Sequence, residues 1–204
     1  MIYFIVTTCL DDSSNIRKIQ YVNGIDRLKK LAAKLAIPDY KIIIVENNGE
    51  RYTILNMSSC TVYYTNNNAM PVSNKGHKEL QDIFDCIAHF GIDDDDFIVK
   101  MTGRYVLEYD SEFMREIQNL HNTNYDCVIK YGPYFKPVNY QTPNCITGLI
   151  GMRCKYMKQI EIPGDEPVEI NWGKATYLIP DEKIRMVQNL GIKICPGCDT
   201  YFFV

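Results

Sequence analysis

The chain has 204 residues, of which 46% are hydrophobic and 23% are charged, and this ordinary globular composition excludes intrinsic disorder, collagen-like repeats and a coiled coil. Its 22 basic and 25 acidic side chains give a net charge of −3, so the chain as a whole does not attract nucleic acid or anionic lipid. A phosphate-bearing ligand therefore needs a local site. We expect one domain over residues 1–204.

Eight cysteines would form a disulfide framework only in a small secreted chain. The apolar opening at residues 2–6 lacks the basic residues of a signal peptide, and no apolar run approaches the ~20 residues of a membrane helix. We therefore expect a cytoplasmic protein with reduced thiols and no integral membrane segment.

Strands and helices alternate in the first half of the chain. Residues 2–6 are a β-branched and aromatic run, typical of a strand buried on both faces of a parallel sheet, and residues 41–45 and 60–64 are further strands. Apolar positions at helical spacing from Ile25 predict a helix between the first two strands. Ser73 is the expected N-cap of the next helix, which Gly91 ends.

The second half continues with strands at 97–101, 125–131 and 145–152, and with a helix capped by residues 110–111. Two helical stretches follow at 166–179 and 181–190, and the chain ends in a short strand at 201–204. This order predicts an α/β fold with a mixed, mainly parallel sheet flanked by helices and joined by right-handed crossovers.

In such sheets, ligands bind beyond the carboxyl ends of the strands. The residues that directly follow the first, second and fourth strands are Thr7, Thr8, Glu46, Thr102, Gly103 and Arg104.

The four successive aspartates at residues 93–96 invite a metal-site hypothesis. They precede the fourth strand, however, and a strand of five or six residues is roughly 17–20 Å long. We interpret them as a solvated acidic turn at the far edge of the sheet.

Two cations belong to the opposite end of that strand. Lys100 lies within an otherwise apolar run, where an ammonium is costly unless it meets an anion, and Arg104 offers a planar bidentate donor for phosphate or carboxylate. The alternative is that Lys100 pairs with a structural carboxylate and Arg104 is merely exposed.

Asn74, Lys75 and Gly76 open a helix, whose free N–H groups and dipole attract anions. No GxxxxGK[ST] or GxGxxG motif occurs, which removes the main support for kinase, GTPase and dehydrogenase functions.

Taken together, these positions resemble the nucleotide-sugar-binding half of GT-A-fold glycosyltransferases, over about residues 1–180. The segment from Asn74 to Tyr105, with its Lys-Met-Thr-Gly-Arg-Tyr ending, is most similar to a branch of these enzymes found in bacteria and large DNA viruses. The resemblance implies that residues 1–110 bind the nucleotide sugar and residues 111–204 the acceptor. It also implies that Thr7, Thr8, Glu46 and Asn74 contact the nucleoside and that Lys75, Lys100 and Arg104 contact the diphosphate.

The chain departs from the family at the metal-binding DXD motif. Thr102-Gly103-Arg104 stands in that place, and no carboxylate follows until Glu108 and Asp110. Two alternatives follow for the cofactor. Either Arg104 and Lys100 neutralise the leaving diphosphate without a metal ion, or Mn²⁺ or Mg²⁺ is bound by other residues.

The acceptor half supplies the expected catalytic carboxylate. Inverting sugar transfer needs a base for the acceptor hydroxyl, and the resemblance places it at the start of a late helix, with Glu169 as first candidate and Glu166 as second. Trp172 and Tyr134 are candidates for contact with the acceptor sugar. Alternatively, Glu166 only favours a helix N-terminus, Trp172 is core and Tyr134 anchors a loop.

The expected function is transfer of a sugar from a UDP-linked donor to a glycan or glycoconjugate hydroxyl, in glycan biosynthesis. One rival is a sugar-phosphate nucleotidyltransferase, which normally carries a Gly-rich, basic loop after its first strand; residues 7–12 have none. The other is a non-catalytic nucleotide-sugar or glycan-binding protein, which the missing DXD motif favours.

Overall fold

The structure is a computed structural model that describes residues 1–10, 13–132, 143–195 and 202–204. The strands are β1 (Ile2–Thr8), β2 (Tyr40–Glu46), β3 (Thr61–Tyr64), β4 (Phe97–Thr102), β5 (Val106–Leu107), β6 (Cys127–Ile129), β7 (Leu149–Arg153), β8 (Ile184–Met186), β9 (Ile192–Ile194) and β10 (Phe202–Phe203). The α-helices are α1 (Asn15–Lys34), α2 (Lys75–Phe90), α3 (Glu112–Gln118), α4 (Cys154–Met157) and α5 (Val168–Ala175).

Seven strands form the main sheet, in the order β3-β2-β1-β4-β7-β6-β8. Within the described strands of this sheet, β7 runs antiparallel to both neighbours and the other pairs are parallel. β5, β9 and β10 form a separate three-stranded sheet. The predicted α/β class with a mixed, mainly parallel sheet is confirmed.

The sheet is covered on both faces, which explains the continuous apolar run of β1. Phe4 and Val6 face a core that includes the apolar side of α1, whereas Tyr3 and Ile5 face a second core built with α2 and α5. Every residue of β1 is buried. Alternate side chains of one strand thus serve two cores, as expected for a central strand.

The starts of α1 and α2 differ from expectation. α1 begins at Asn15, ten residues before the predicted stripe, because Ser14 caps it by accepting a hydrogen bond from the backbone N–H of Arg17. The cap of α2 is Asn74 rather than Ser73, since the Asn74 side chain accepts from the backbone N–H groups of Gly76 and His77.

The helix expected over residues 181–190 is wrong. Asp181–Lys183 forms a single 3₁₀ turn, and the chain then enters β8, which pairs in parallel with β6. Tertiary pairing with a buried strand therefore overrides the local helical spacing. Among the described helices, none is both long and apolar enough to cross a membrane.

Candidate functional site

A cavity of about 770 Å³ opens at the carboxyl ends of the central strands. The strand register sets Thr7 beside Thr102 and Thr8 beside Glu46. The predicted site residues that line the cavity are Thr7, Thr8, Lys75, Gly76, Thr102, Arg104 and Glu169. Its charged lining residues are Arg17, Arg51, Lys75, Lys78, Arg104, Glu79, Asp82 and Glu169.

The floor of the cavity contains a buried ion pair. The Lys100 ammonium lies 2.9 Å from Glu79 Oε1, 2.9 Å from Thr102 Oγ1 and 2.7 Å from the carbonyl oxygen of Thr147. An ammonium has three hydrogens to donate, and these three contacts use all of them. Lys100 is 1% exposed and does not line the cavity, so it has no donor left for the predicted contact with a diphosphate.

Glu79 is the partner that the sequence did not single out. Its Oε1 also accepts hydrogen bonds from the hydroxyls of Thr7 and Thr102. Burial would raise the pKa of Glu79, but the Lys100 ammonium and the hydrogen bonds outweigh it and lower that pKa. Lys100 was the signal in the sequence for this pair, because an ammonium buried in a central strand is costly without a nearby anion. The anion, Glu79, lies on the helix that covers the strand.

Glu46 lies beneath the cavity instead of in its wall. It is fully buried, and it accepts hydrogen bonds from the Thr8 hydroxyl at 2.7 Å and from the backbone N–H of Leu10 at 3.0 Å. Asn48 and Arg51 complete its contacts. Glu46 therefore fixes the loop after β1 rather than presenting its carboxylate to the cavity, which is not the nucleoside contact predicted for it.

Asp82, one turn after Glu79 on α2, holds together the two segments that follow β2 and β3. It accepts hydrogen bonds from Asn47 at 2.9 Å, from Asn67 at 2.8 Å and from Thr65. Burial raises the pKa of Asp82 to about 6, although these hydrogen bonds oppose the rise. The segments after β2 and β3 are thus fastened to α2 by one carboxylate.

We expect Asp82 to make the protein less stable as pH rises from about 4 to 6. In this window the folded state retains a proton that the unfolded state, with a pKa near 3.9, has lost, so the free energy of unfolding falls with pH. Asp82→Asn removes the titrating group. Urea denaturation gives the free energy of unfolding of both proteins, and the difference between them should change by roughly 2–3 kcal/mol between pH 4 and pH 7. A difference that stays constant over this pH range would contradict the prediction.

The cationic side chains that line the cavity differ in whether they already form hydrogen bonds or ion pairs within the protein. Arg104 donates to the carbonyl oxygen of Cys195 at 2.8 Å, and Lys78 donates to that of Asn68 at 2.6 Å. In the described part of the chain, Lys75 and Arg17 have no hydrogen bond or ion pair from their side chains. Lys75 and Arg17 are therefore the cations most available to an anionic ligand, and Arg17 was not anticipated.

The loop after β4 is held by close backbone packing. A Cβ atom on Gly103 would lie 3.0 Å from side-chain atoms of Thr8 and Val6. The backbone N–H of Gly103 donates a hydrogen bond to the carbonyl oxygen of Thr7. A Cβ atom on Gly24 of α1 would lie 2.2 Å from the carbonyl oxygen of Gly103 and 2.6 Å from that of Tyr105. Gly24 thus lets α1 pass directly over this loop.

Gly24→Ala should destabilise the protein by about 2–3 kcal/mol, because backbone atoms cannot move aside as a side chain can. The better helix propensity of alanine offsets only part of this cost. Gly164→Ala is a matched control, since a Cβ atom there meets nothing within 4 Å. Urea denaturation of both variants measures the difference; equal stabilities would contradict the packing argument.

The amino ends of α2 and α5 meet beside the cavity. Besides capping α2, the Asn74 side chain donates to the carbonyl oxygens of Gly164 and Glu166, at 3.0 and 3.1 Å. A Cβ atom on Gly76 would lie 2.5 Å from the Val168 side chain. Asn74 therefore joins the two helices and does not line the cavity, where it was expected to contact the nucleoside.

The two candidate bases lie in different surroundings. Glu169, in the first turn of α5, lines the cavity, and its carboxylate has no hydrogen bond or ion pair to any described residue. Glu166 lies outside the cavity and pairs with Lys174 at 3.1 Å. The geometry favours Glu169.

Of the two predicted acceptor contacts, Trp172 is described by the structure, and it does not line the cavity. Trp172 is 2% exposed and packs in the core with Val168 and Ala175, so its ring has no free face for a sugar. Tyr134 lies outside the described residues. Two tyrosines do line the cavity: Tyr21 of α1, and Tyr105, which packs where a Cβ atom of Gly148 would be.

The side chains at the carboxyl end of β4 do not match a divalent-metal site. They are a hydroxyl and a guanidinium, Thr102 and Arg104, whereas Mg²⁺ and Mn²⁺ prefer carboxylate oxygens. Nowhere in the described ranges do three or more His, Cys, Asp or Glu side chains cluster in a metal-binding arrangement. At the far edge of the sheet, Asp94 and Asp96 pair with Lys158 and the N-terminus.

No protein-family model and no curated protein matches the sequence. A Bacillus anthracis structure named as a glucose-1-phosphate thymidylyltransferase, in complex with a sucrose, matches with a TM-score of 0.57 and 13% identity, over 92% of this chain and 86% of its own. A mannosyltransferase from Pyrobaculum calidifontis, in complex with GDP-Man and Mn²⁺, matches with a TM-score of 0.57 and 11% identity, over 91% of this chain and 56% of its own.

A Desulfovibrio desulfuricans G20 structure named as a nucleotide-diphospho-sugar transferase also matches, with a TM-score of 0.50 and 11% identity, over 91% of this chain and 79% of its own. At these identities the likeness establishes the fold. The chain shares the α/β fold of these three structures, and a shared fold does not by itself establish a shared function.

Proposed function

We propose that the chain is a glycosyltransferase that moves a sugar from a nucleoside-diphosphate donor, UDP-linked, to a hydroxyl group of a glycan or glycoconjugate, with inversion at the anomeric carbon. One observation carries the proposal. A carboxylate without a described partner, Glu169, shares a cavity of about 770 Å³ with the available cations Lys75 and Arg17. The cavity lies at the carboxyl edge of the sheet, where ligands of such folds bind.

The chemistry assigns complementary roles to the two groups of charges. The Glu169 carboxylate removes the proton of the acceptor hydroxyl as that oxygen attacks the anomeric carbon. The bond between this carbon and the phosphate oxygen breaks, and the nucleoside diphosphate leaves with the electron pair. Arg104, Lys75 and Arg17 stabilise the negative charge on the leaving group. Lys100 has no contact with the leaving group in this proposal, because Glu79, Thr102 and Thr147 accept its three hydrogens.

The test is a thermal-shift screen of nucleotide sugars, followed by an assay for release of the nucleoside diphosphate. A ligand that binds the native state raises its melting temperature by mass action. We expect a nucleoside-diphosphate sugar to stabilise the protein and to be turned over with a pool of mono- and oligosaccharide acceptors.

The same assay separates the rival functions. A nucleotidyltransferase forms a nucleotide sugar and pyrophosphate from a nucleoside triphosphate and a sugar 1-phosphate. It would therefore release no nucleoside diphosphate from a nucleotide sugar in this assay. A binding protein shows stabilisation without turnover over long incubation. Either result would contradict the proposal.

Turnover should persist in excess EDTA, within about twofold of the rate with Mn²⁺, because guanidinium and ammonium groups provide the positive charge at the expected diphosphate position. Initial rates of diphosphate release with EDTA and with added Mn²⁺ measure this. Strict dependence on Mn²⁺ would contradict the prediction and direct attention to Glu108, which pairs with Lys193, and to Asp110.

A further inference from the structure

The two oxygens of the Glu79 carboxylate have different surroundings. Oε1 accepts from Lys100, Thr7 and Thr102, whereas Oε2 has no hydrogen bond or ion pair to a described residue. Glu79 lines the cavity, and its side chain is 27% exposed. The free oxygen is therefore available to a ligand in the cavity.

The other carboxylate on this face of α2 is already occupied. Both oxygens of Asp82 accept hydrogen bonds, from Asn47, Thr65 and Asn67. Glu79 is consequently the side chain of α2 that brings an unsatisfied negative oxygen to the cavity.

Electrostatics limit which part of a ligand can face this oxygen. A phosphate group near Oε2 would be repelled, and the repulsion is strong because the site is partly removed from water. The group that faces Oε2 must therefore not be anionic and must donate a hydrogen, and the hydroxyls of a nucleotide sugar meet both conditions. The diphosphate then lies towards Lys75, Arg17 and Arg104.

The carboxylate is also held in place before a ligand binds. Lys100 and Thr102 belong to β4 and Thr7 to β1, so two central strands fix Oε1. Such fixation removes most of the side-chain ordering cost from binding. The lowered pKa of Glu79 keeps the group negatively charged, which strengthens a hydrogen bond to it.

We propose that Glu79 Oε2 accepts a hydrogen bond from a hydroxyl group of the nucleotide-sugar donor, and that Glu79 thereby selects donors that carry this hydroxyl. The inference rests on the proposed function. The hydroxyl belongs either to the ribose or to the transferred sugar, and the experiment below distinguishes these two sources.

The experiment measures dissociation constants by calorimetry for probes with and without single hydroxyls. UDP and GDP are compared with their 2′- and 3′-deoxy forms, and UDP-hexoses with their monodeoxy counterparts. The variant is the double substitution Glu79→Gln and Lys100→Met, which removes both charges so that no ammonium stays buried alone. Lys100→Met alone is the matched control, because it keeps the Glu79 carboxylate. Circular dichroism checks that both variants are folded.

We expect the wild type to bind one hydroxyl-bearing probe about tenfold to a hundredfold more tightly than its deoxy form, and the double variant to lose this discrimination. Lys100→Met should weaken the discrimination but not abolish it, because the Glu79 carboxylate keeps its hydrogen bonds from Thr7 and Thr102. A ratio lost within the UDP or GDP set assigns the hydroxyl to the ribose, and a ratio lost only within the UDP-hexose set assigns it to the transferred sugar.

Two results would overturn the inference alone: nucleotides bind but the wild type shows no discrimination, or the double variant discriminates as the wild type does. If the wild type binds no nucleotide and no nucleotide sugar, the proposed function is wrong and the inference falls with it.

Discussion

Glu169→Gln should lower the turnover number for sugar transfer by about 10²–10⁴, the contribution typical of a general base. The amide has nearly the same shape as the carboxylate but cannot take the proton of the acceptor hydroxyl. Donor binding should change by less than about twofold, because the expected diphosphate contacts lie on other residues. Diphosphate release measures turnover, and calorimetry with UDP and UDP-sugars measures binding.

Glu166→Gln is the matched control for this variant. Glu166 lies three residues before Glu169, but it pairs with Lys174 at 3.1 Å and does not line the cavity. Its side chain is 38% exposed, so the substitution should leave both turnover and stability near wild type. Normal turnover in Glu169→Gln, or equal losses in both variants, would remove Glu169 from the mechanism.

Glu79→Gln should be the most destabilising single substitution at the site, costing about 3–5 kcal/mol of the free energy of unfolding. It leaves the Lys100 ammonium, which is 1% exposed, without a counter-ion. Lys100→Met should cost less, about 1–2 kcal/mol, because the Glu79 carboxylate it leaves behind reaches the cavity and its water.

The double substitution should recover most of the lost stability, since neither charge then stays buried without its partner. Urea denaturation of the two single variants and the double variant gives the coupling energy between the side chains. Additive losses in the double variant would show that the ion pair does not act as a unit.

The carboxyl edge of the sheet could be predicted because it depends on local patterns. The apolar runs of β1, β2 and β4 identify parallel strands, and the residues directly after them must meet at one edge. Thr7, Thr102 and Arg104 were found in this way. Glu169 came from the resemblance and not from the residues, because nothing local distinguishes it from Glu166.

Neither the Glu79–Lys100 ion pair nor the burial of Glu46 could be predicted from neighbouring residues in the sequence. Glu79 and Lys100 are 21 positions apart and meet only because α2 packs over β1 and β4. Glu46 follows its strand as expected, but its burial depends on the loop after β1, which folds over it and donates the Leu10 N–H group. The β8 strand was missed for a similar reason, because three residues become a strand only beside β6.

The contact between the amino ends of α2 and α5 has a consequence for catalysis. Lys75 begins α2 and Glu169 lies in the first turn of α5, and the Asn74 amide and the close Gly76–Val168 contact hold these two helix ends together. The cation that we propose for the leaving group and the base that we propose for the incoming group therefore lie on two helix ends that are fastened to each other. If α2 tilts, Lys75 and Glu169 move together, so Asn74 and Gly76 set the spacing between the two groups to which we assign the proposed transfer.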